Sequence, residues 1–308
     1  MNQRSDIPTK TWIDRYLPWR MRPFAKLMRL DRPVGIWLLL LPGWWGLALA
    51  GFGTPDFKLM ALFLVGAVVM RGAGCTYNDI IDRDVDRKVA RTRARPIPSG
   101  HVTVKAAWIF LAVQLVIGLI ILLQFNWFAI GIGAASLLLV AAYPFMKRIT
   151  FWPQAWLGLT FNWGTLLGWA AARGTIETPA LWLYAAGFFW TLGYDTIYAH
   201  QDREDDALIG VRSAALALGK RTKPFVAVCY LLTVGGLFAA MSAPTYDITY
   251  FRALVGYPGI AAFVLAALHL AWQAATLDIN NPANCLYRFR SNRNFGLLVL
   301  VTVALMRY

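Results

Sequence analysis

Cysteine is scarce in this chain and nowhere patterned. Cys75, Cys229 and Cys285 lie in apolar stretches or beside basic loops, without a close pair among them. That spacing excludes a disulfide framework and a cysteine metal site, and leaves small packing residues. Acidic residues are also few, 16 Asp and Glu against 30 Lys and Arg. Polar sequence is too short to cover the apolar surface of a chain that is 58% hydrophobic, which excludes a soluble protein built on long core helices. Residues 1–33 are too polar and too charged for a signal peptide. No nucleic-acid module accompanies the positive charge, so nucleic acid is not an expected partner.

The apolar residues come in blocks, such as 34–51, 106–123 and 261–275. A helix needs about 20 of them to cross a hydrocarbon core of roughly 30 Å. Trp44, Trp45, Trp127, Trp152 and Trp182 stand at block ends, as an interfacial aromatic belt requires. The pattern predicts an all-α integral membrane protein with nine spans near 34–51, 59–80, 105–123, 127–146, 153–172, 180–200, 224–241, 254–276 and 294–306, the last one short. Turn signals at Gly53 with Pro55, Pro98 to Gly100, Pro153, Pro179 and Pro244 separate them.

Apart from Lys58, Arg71, Arg173, Arg252 and Arg307, the Lys and Arg residues fall in the N-terminal arm and around the loops after even-numbered spans. The positive-inside rule places that arm and those loops in the cytoplasm and explains the net charge of +14. Residues 1–33 read as a basic arm with an interfacial helix against anionic lipid, followed by a nine-span domain over 34–308. The expected home is a bacterial inner membrane, with a mitochondrial inner membrane as the alternative.

Two acidic clusters carry the chemistry. One runs from Asn78 and Asp79 through Asp82 and Asp84 to Asp86, and the other from Asp195 through Asp202, Glu204 and Asp205 to Asp206. Helical positions four apart share a face, so Asn78, Asp82 and Asp86 form one oxygen-bearing stripe. Asp195, Tyr198, Asp202 and Asp206 follow the same rule. Both clusters close even-numbered spans on the basic side, where they can serve one cavity. Carboxylates this near repel unless a cation sits between them, and charges at membrane depth are costly enough to mark function. Mg²⁺ takes oxygen ligands and shares carboxylates with phosphates. Off the stripes, Asp79, Asp84 and Asp205 have ion pairing with neighbouring arginines as an equal alternative.

At these residues the chain resembles the UbiA family of intramembrane prenyltransferases, in its 4-hydroxybenzoate branch. The first motif, Asn-Asp-x-x-Asp-x-x-x-Asp, matches residues Asn78 to Asp86, and Arg91-Thr92 through Arg95-Pro96 to Ser99-Gly100 resembles its continuation. Tyr194-Asp195-Thr196 to Ala199, leading into Asp202 and Asp206, matches the second. Leu30 to Trp37, Tyr143-Pro144 to Lys147-Arg148, and Pro153-Gln154 through Asn162-Trp163 add further likeness. The chain departs from the pattern at Gly210 to Ala215, where Arg212 and Ala214 stand for a common lysine and threonine.

The resemblance implies nine helices around a central cavity capped by cytoplasmic loops. It implies transfer of a polyprenyl group from polyprenyl diphosphate to carbon 3 of 4-hydroxybenzoate, in ubiquinone biosynthesis, with two Mg²⁺ ions. Asn78, Asp82 and Asp86 would hold one ion, and Asp202 with Asp206 the other. Asp195 assists, and Tyr198 and Tyr143 stabilise cationic character or simply face the interface. Lys88, Arg91 and Arg95 are candidates to grip diphosphate, with inside-rule topology as the alternative. Lys147 and Arg148 are candidates for the acceptor carboxylate, ahead of Arg212. Asn162 either orients the acceptor or bonds helix to helix. The partners implied are the two substrates and the bilayer; no obligate protein partner is evident. Competing readings are the same chemistry on a naphthoate, homogentisate or haem, and, more distantly, an ion-coupled transporter.

Overall fold

The computed structural model describes residues 11–51, 56–89, 92–201, 203, 207–208, 210, 212–242 and 257–307. Every regular element among them is helical. The chain divides into two compact units, Met1–Trp37 with Leu64–Gln124, and Leu38–Phe63 with Phe125–Tyr308.

The first unit begins with the arm, which forms two short helices, α1 (Trp12–Tyr16) and α2 (Arg22–Leu27). The single interfacial helix expected there is broken because a residue preceding proline avoids the helical region, and Leu17 before Pro18 is extended, with ψ 144°. Lys26 donates to Asp14 at 2.6 Å and ties α2 to α1. The unit also holds most of the long helix α4 (Phe57–Asp86) and all of α5 (Val104–Leu122). Its core gathers Leu27, Ala73, Ile80, Ile97, Val102, Ala107 and Leu111, so the arm, both helices and their connecting loop share one apolar cluster.

The second unit holds most of α3 (Val34–Ala50), then α6 (Trp127–Ile149), α7 (Pro153–Arg173) and α8 (Thr178–Ala199). It continues with short α9 (Ala214–Leu218), α10 (Thr222–Ser242), α11 (Tyr257–Ala275) and α12 (Pro282–Arg307). α8 packs against α7, α10 and α12 and is buried along much of its length. α3 crosses α7 with backbones in close approach. A Cβ on Gly46 would strike the Thr165 carbonyl, and one on Gly168 the Gly43 carbonyl, the small-residue contact that draws helices together in lipid. Buried polar groups pair internally: Trp190 Nε1 donates to Asn292 Oδ1 at 2.8 Å, and Tyr230 OH to Gln273 Oε1 at 2.9 Å.

Each of the nine predicted spans falls on a helix, the start of the eighth lying outside the described residues. Among those residues five helical segments are long and apolar enough to cross a membrane: Phe57–Asp86, Val104–Leu122, Trp127–Ile149, Ala214–Ser242 and Pro258–Ala275. α3 is apolar but shorter. α7, α8 and α12 carry more polar residues, such as Gln154 and Asn162, Asp195, and Asn292. The last helix is not short, as expected, but 26 residues long. Asn281 Oδ1 accepts from the Ala283 and Asn284 amides at 3.0 and 3.1 Å, and Pro282 follows at the first helical position.

Candidate active site

The first motif lies wholly on α4. Hydropathy falls away after Tyr77, yet the helix continues to Asp86 because no proline or glycine interrupts residues 75–86. Its 30 residues correspond to roughly 45 Å at 1.5 Å per residue, longer than a hydrocarbon core. Asp79, Asp82 and Asp86 are 0%, 1% and 5% exposed. Asn78 is half-buried on the stripe with Asp82 and Asp86, whereas Asp84 is exposed and lies 3.5 Å from Arg83.

Beyond α4 the chain is folded back. The Thr92 hydroxyl donates to the Asp86 carbonyl at 3.0 Å, satisfying a helix-end acceptor. Buried Ile97 anchors the loop in the apolar cluster. That anchoring places Arg95, whose Nη1 donates to Asp86 Oδ2 at 2.8 Å and to Asp79 Oδ1 at 3.2 Å. Arg29, just after α2, donates from Nη2 to both Asp79 oxygens at 2.7 and 2.8 Å. Burial, the largest single influence, disfavours the Arg29 charge, but the charge and hydrogen bond of Asp79 with the nearby Cys75 and Asp31 together raise the guanidinium above its ordinary range. Asp79 is therefore an ion-pair residue. Sequence reasoning missed Arg29, and no spacing signal links positions 50 residues apart.

Of the other phosphate candidates, Lys88 is exposed and Arg91 lies outside the described residues. Asp202 and Asp206 also lie outside them, so the second motif is described only through its lead on α8. There Asp195 and Tyr198 are half-buried, three residues apart, and the Tyr198 ring stacks on Phe289 with centroids 4.3 Å apart. Tyr143 and Lys147 sit half-buried one turn apart on α6, and Arg148 is exposed. Arg212 closes the C-terminus of α6: its Nη1 donates to the Ile149 carbonyl at 2.6 Å, and its amide to the Lys147 carbonyl at 3.1 Å. Asn162 is wholly buried, donating to the Gly158 carbonyl at 2.8 Å and to Thr191 Oγ1 at 2.7 Å. These bonds join α7 to α8, while its Oδ1 makes no hydrogen bond. Gly187 makes room for it, since a Cβ there would strike Asn162 Oδ1.

The donor set on α4 suits a hard cation. It offers two buried carboxylates and an amide oxygen on one stripe, short of a closed cage, as for Mg²⁺ that keeps part of its shell for water and phosphate. Among the described residues no group of three or more His, Cys, Asp or Glu is gathered as a metal site. The α4 residues fit a shared site and not a self-sufficient one.

The model of the UbiA prenyltransferase family matches residues 39–298. This chain belongs to the UbiA prenyltransferase family. One UbiA relative, the mitochondrial 4-hydroxybenzoate polyprenyltransferase of Arabidopsis thaliana, is 49% identical over 304 residues, 98% of this chain and 72% of that protein. The Bos taurus protein of the same name is 47% identical over 291 residues, 94% of this chain and 76% of that protein. Among solved structures, an apo UbiA homolog from Aeropyrum pernix K1 superposes with a TM-score of 0.67 at 24% identity, covering 87% of this chain and 94% of that one. A UbiA homolog from Archaeoglobus fulgidus bound to GPP and Mg²⁺ gives 0.65 at 18% identity, covering 92% and 98%. At those identities the likeness bears on the UbiA fold.

The expectation of a bacterial inner membrane is corrected here, because the named UbiA relatives from plant, insect and mammal are mitochondrial. Charge bias orients a chain across its membrane but carries nothing about which membrane that is.

Proposed function

We propose that this chain transfers a polyprenyl group from polyprenyl diphosphate to carbon 3 of 4-hydroxybenzoate in a mitochondrial membrane, releasing diphosphate, as a step of ubiquinone biosynthesis. The observation that carries this is 49% identity over 98% of the chain to a named 4-hydroxybenzoate polyprenyltransferase. The buried carboxylate stripe on α4 supports it.

The allylic C–O bond breaks and its electron pair leaves with the diphosphate. Ring carbon 3 bonds to the prenyl C1, and the ring then loses its proton. Bound Mg²⁺ supplies Lewis-acid neutralisation of the leaving diphosphate. Asn78, Asp82 and Asp86 would hold one ion and Asp202 with Asp206 a second, with Asp195 assisting; the Archaeoglobus structure with GPP and Mg²⁺ supports the choice of metal. Arg95, with Lys88 and Arg91, grips phosphate oxygens through charge-assisted hydrogen bonds. Lys147 and Arg148 take the acceptor carboxylate. Tyr143 and Tyr198 face cationic character with their rings, and the apolar surroundings exclude the water that would otherwise capture the allylic group. Nine spans around a central cavity capped by the basic loops, with the arm on the lipid surface, complete this reading.

The test is prenyl transfer by the purified full chain in lipid nanodiscs, given one polyprenyl diphosphate and a mixture of 4-hydroxybenzoate, a dihydroxynaphthoate and homogentisate. Labelled product is expected on 4-hydroxybenzoate alone, lost on chelation, and reduced about 100- to 1,000-fold in Asp82→Ala and Asp202→Ala, as loss of a group that stabilises charge in the transition state implies. Preferred labelling of another acceptor overturns the substrate assignment, and full activity of either variant overturns the two-motif mechanism.

A further inference from the structure

Arg29 holds a backbone conformation that its side chain does not favour. Its φ of 60° lies in the left-handed region, where a long L residue stays only when its surroundings compensate. Compensation here comes from its amide and its Nη1, both donating to the Lys26 carbonyl at 3.0 and 3.2 Å, and from the forked contact with Asp79. Asp79 Oδ1 is thus shared between Arg29 at 2.7 Å and Arg95 at 3.2 Å. Arg95 in turn spans two carboxylates through one nitrogen, while its Nε is buried and makes no hydrogen bond. The result is an alternating row, Arg29–Asp79–Arg95–Asp86, with the tightest contacts at its two ends.

We propose that Arg29 and Asp79 are positioning residues for the diphosphate: Asp79 anchors Arg95 beside the first motif, and Arg29 draws off enough of the Asp79 charge that Arg95 remains available to phosphate oxygens. This rests on the diphosphate reading of Arg95 given above. Asp86 cannot be the lasting anchor, since a carboxylate that ligates a cation is a poorer partner for a guanidinium. Asp79 lies off the metal stripe, so a bound cation leaves its contact with Arg95 in place. Without Arg29 that whole buried charge would fall on Arg95, and burial would strengthen the pair at the expense of the incoming anion.

Binding of inorganic pyrophosphate to the full chain in nanodiscs, with and without Mg²⁺, reads this directly. Steady-state KM values for both substrates read it independently. Arg29→Gln is expected to weaken pyrophosphate binding about tenfold, the scale of one charge-assisted hydrogen bond. The diphosphate KM should rise in parallel while the 4-hydroxybenzoate KM stays within about twofold. Asp79→Asn, nearly isosteric, is expected to weaken binding about threefold, because its amide oxygen still accepts from Arg95. Arg29→Gln with Asp79→Asn should bind pyrophosphate better than Arg29→Gln alone, since no trapped charge remains. A double variant no better than Arg29→Gln, or single variants with unchanged affinity, overturns the proposal. If Arg29→Gln does not fold, unchanged affinity in Asp79→Asn is sufficient to overturn it. Arg95→Gln separates the levels: if it binds pyrophosphate as well as the parent protein, the diphosphate reading of Arg95 itself fails.

Discussion

Asn162 poses at single-residue scale a choice that its position in an apolar segment cannot make. A polar side chain at membrane depth must find a partner, and either a substrate or a neighbouring helix can supply one. Its amide nitrogen donates to Gly158 and to Thr191 of the next helix, while its Oδ1 makes no hydrogen bond. Replacing Asn162 with Ala should therefore lower stability by about 0.6–2 kcal/mol, the range for interhelical hydrogen bonds in lipid, seen as a drop in Tm in nanodiscs. The acceptor KM should change less than about twofold; a selective rise in that KM would return Asn162 to the acceptor site. The Asn78, Asp82 and Asp86 stripe, by contrast, was legible beforehand, because helical periodicity is a local property. That Asp79 is an ion-pair residue was not, because its partner Arg29 lies 50 positions away and reaches it only through the docking of the arm.

At the scale of elements, helix existence followed from apolar blocks, and helix ends did not. α4 continues past its apolar portion because its backbone hydrogen bonds are indifferent to the charge of the side chains, so hydropathy ends before the helix does. α12 has signals at its start, Asn281 and Pro282, that hydropathy overlooks. The crossing of α3 and α7 depends on the absence of side chains at Gly46 and Gly168. Gly168→Ala should cost about 1–3 kcal/mol through overpacking, lowering the Tm of the reconstituted protein, because the atom it meets is backbone and cannot rotate away. An unchanged Tm would mean that the helices separate freely and that the close approach contributes little.

For the whole molecule, basic loops after alternate spans predict which connections share a side of the membrane. In sealed vesicles, Ser99→Cys and Lys220→Cys should react with a membrane-impermeant thiol reagent from one side, and Gln124→Cys and Thr175→Cys from the other. The native cysteines are buried and should contribute little background. Ser99 and Lys220 labelling from opposite sides would put the two motifs on opposite faces and end the shared-diphosphate mechanism. Membrane residence, family and the carboxylate stripe were determined by the sequence alone, because composition, block length and a period of 3.6 residues need no knowledge of what a segment packs against. Tertiary structure alone decided that Arg29 holds Asp79, that Arg95 bridges Asp79 and Asp86, and that Asn162 joins two helices. Each of those contacts joins segments far apart in the chain, and their pairing is set by packing rather than by any local preference.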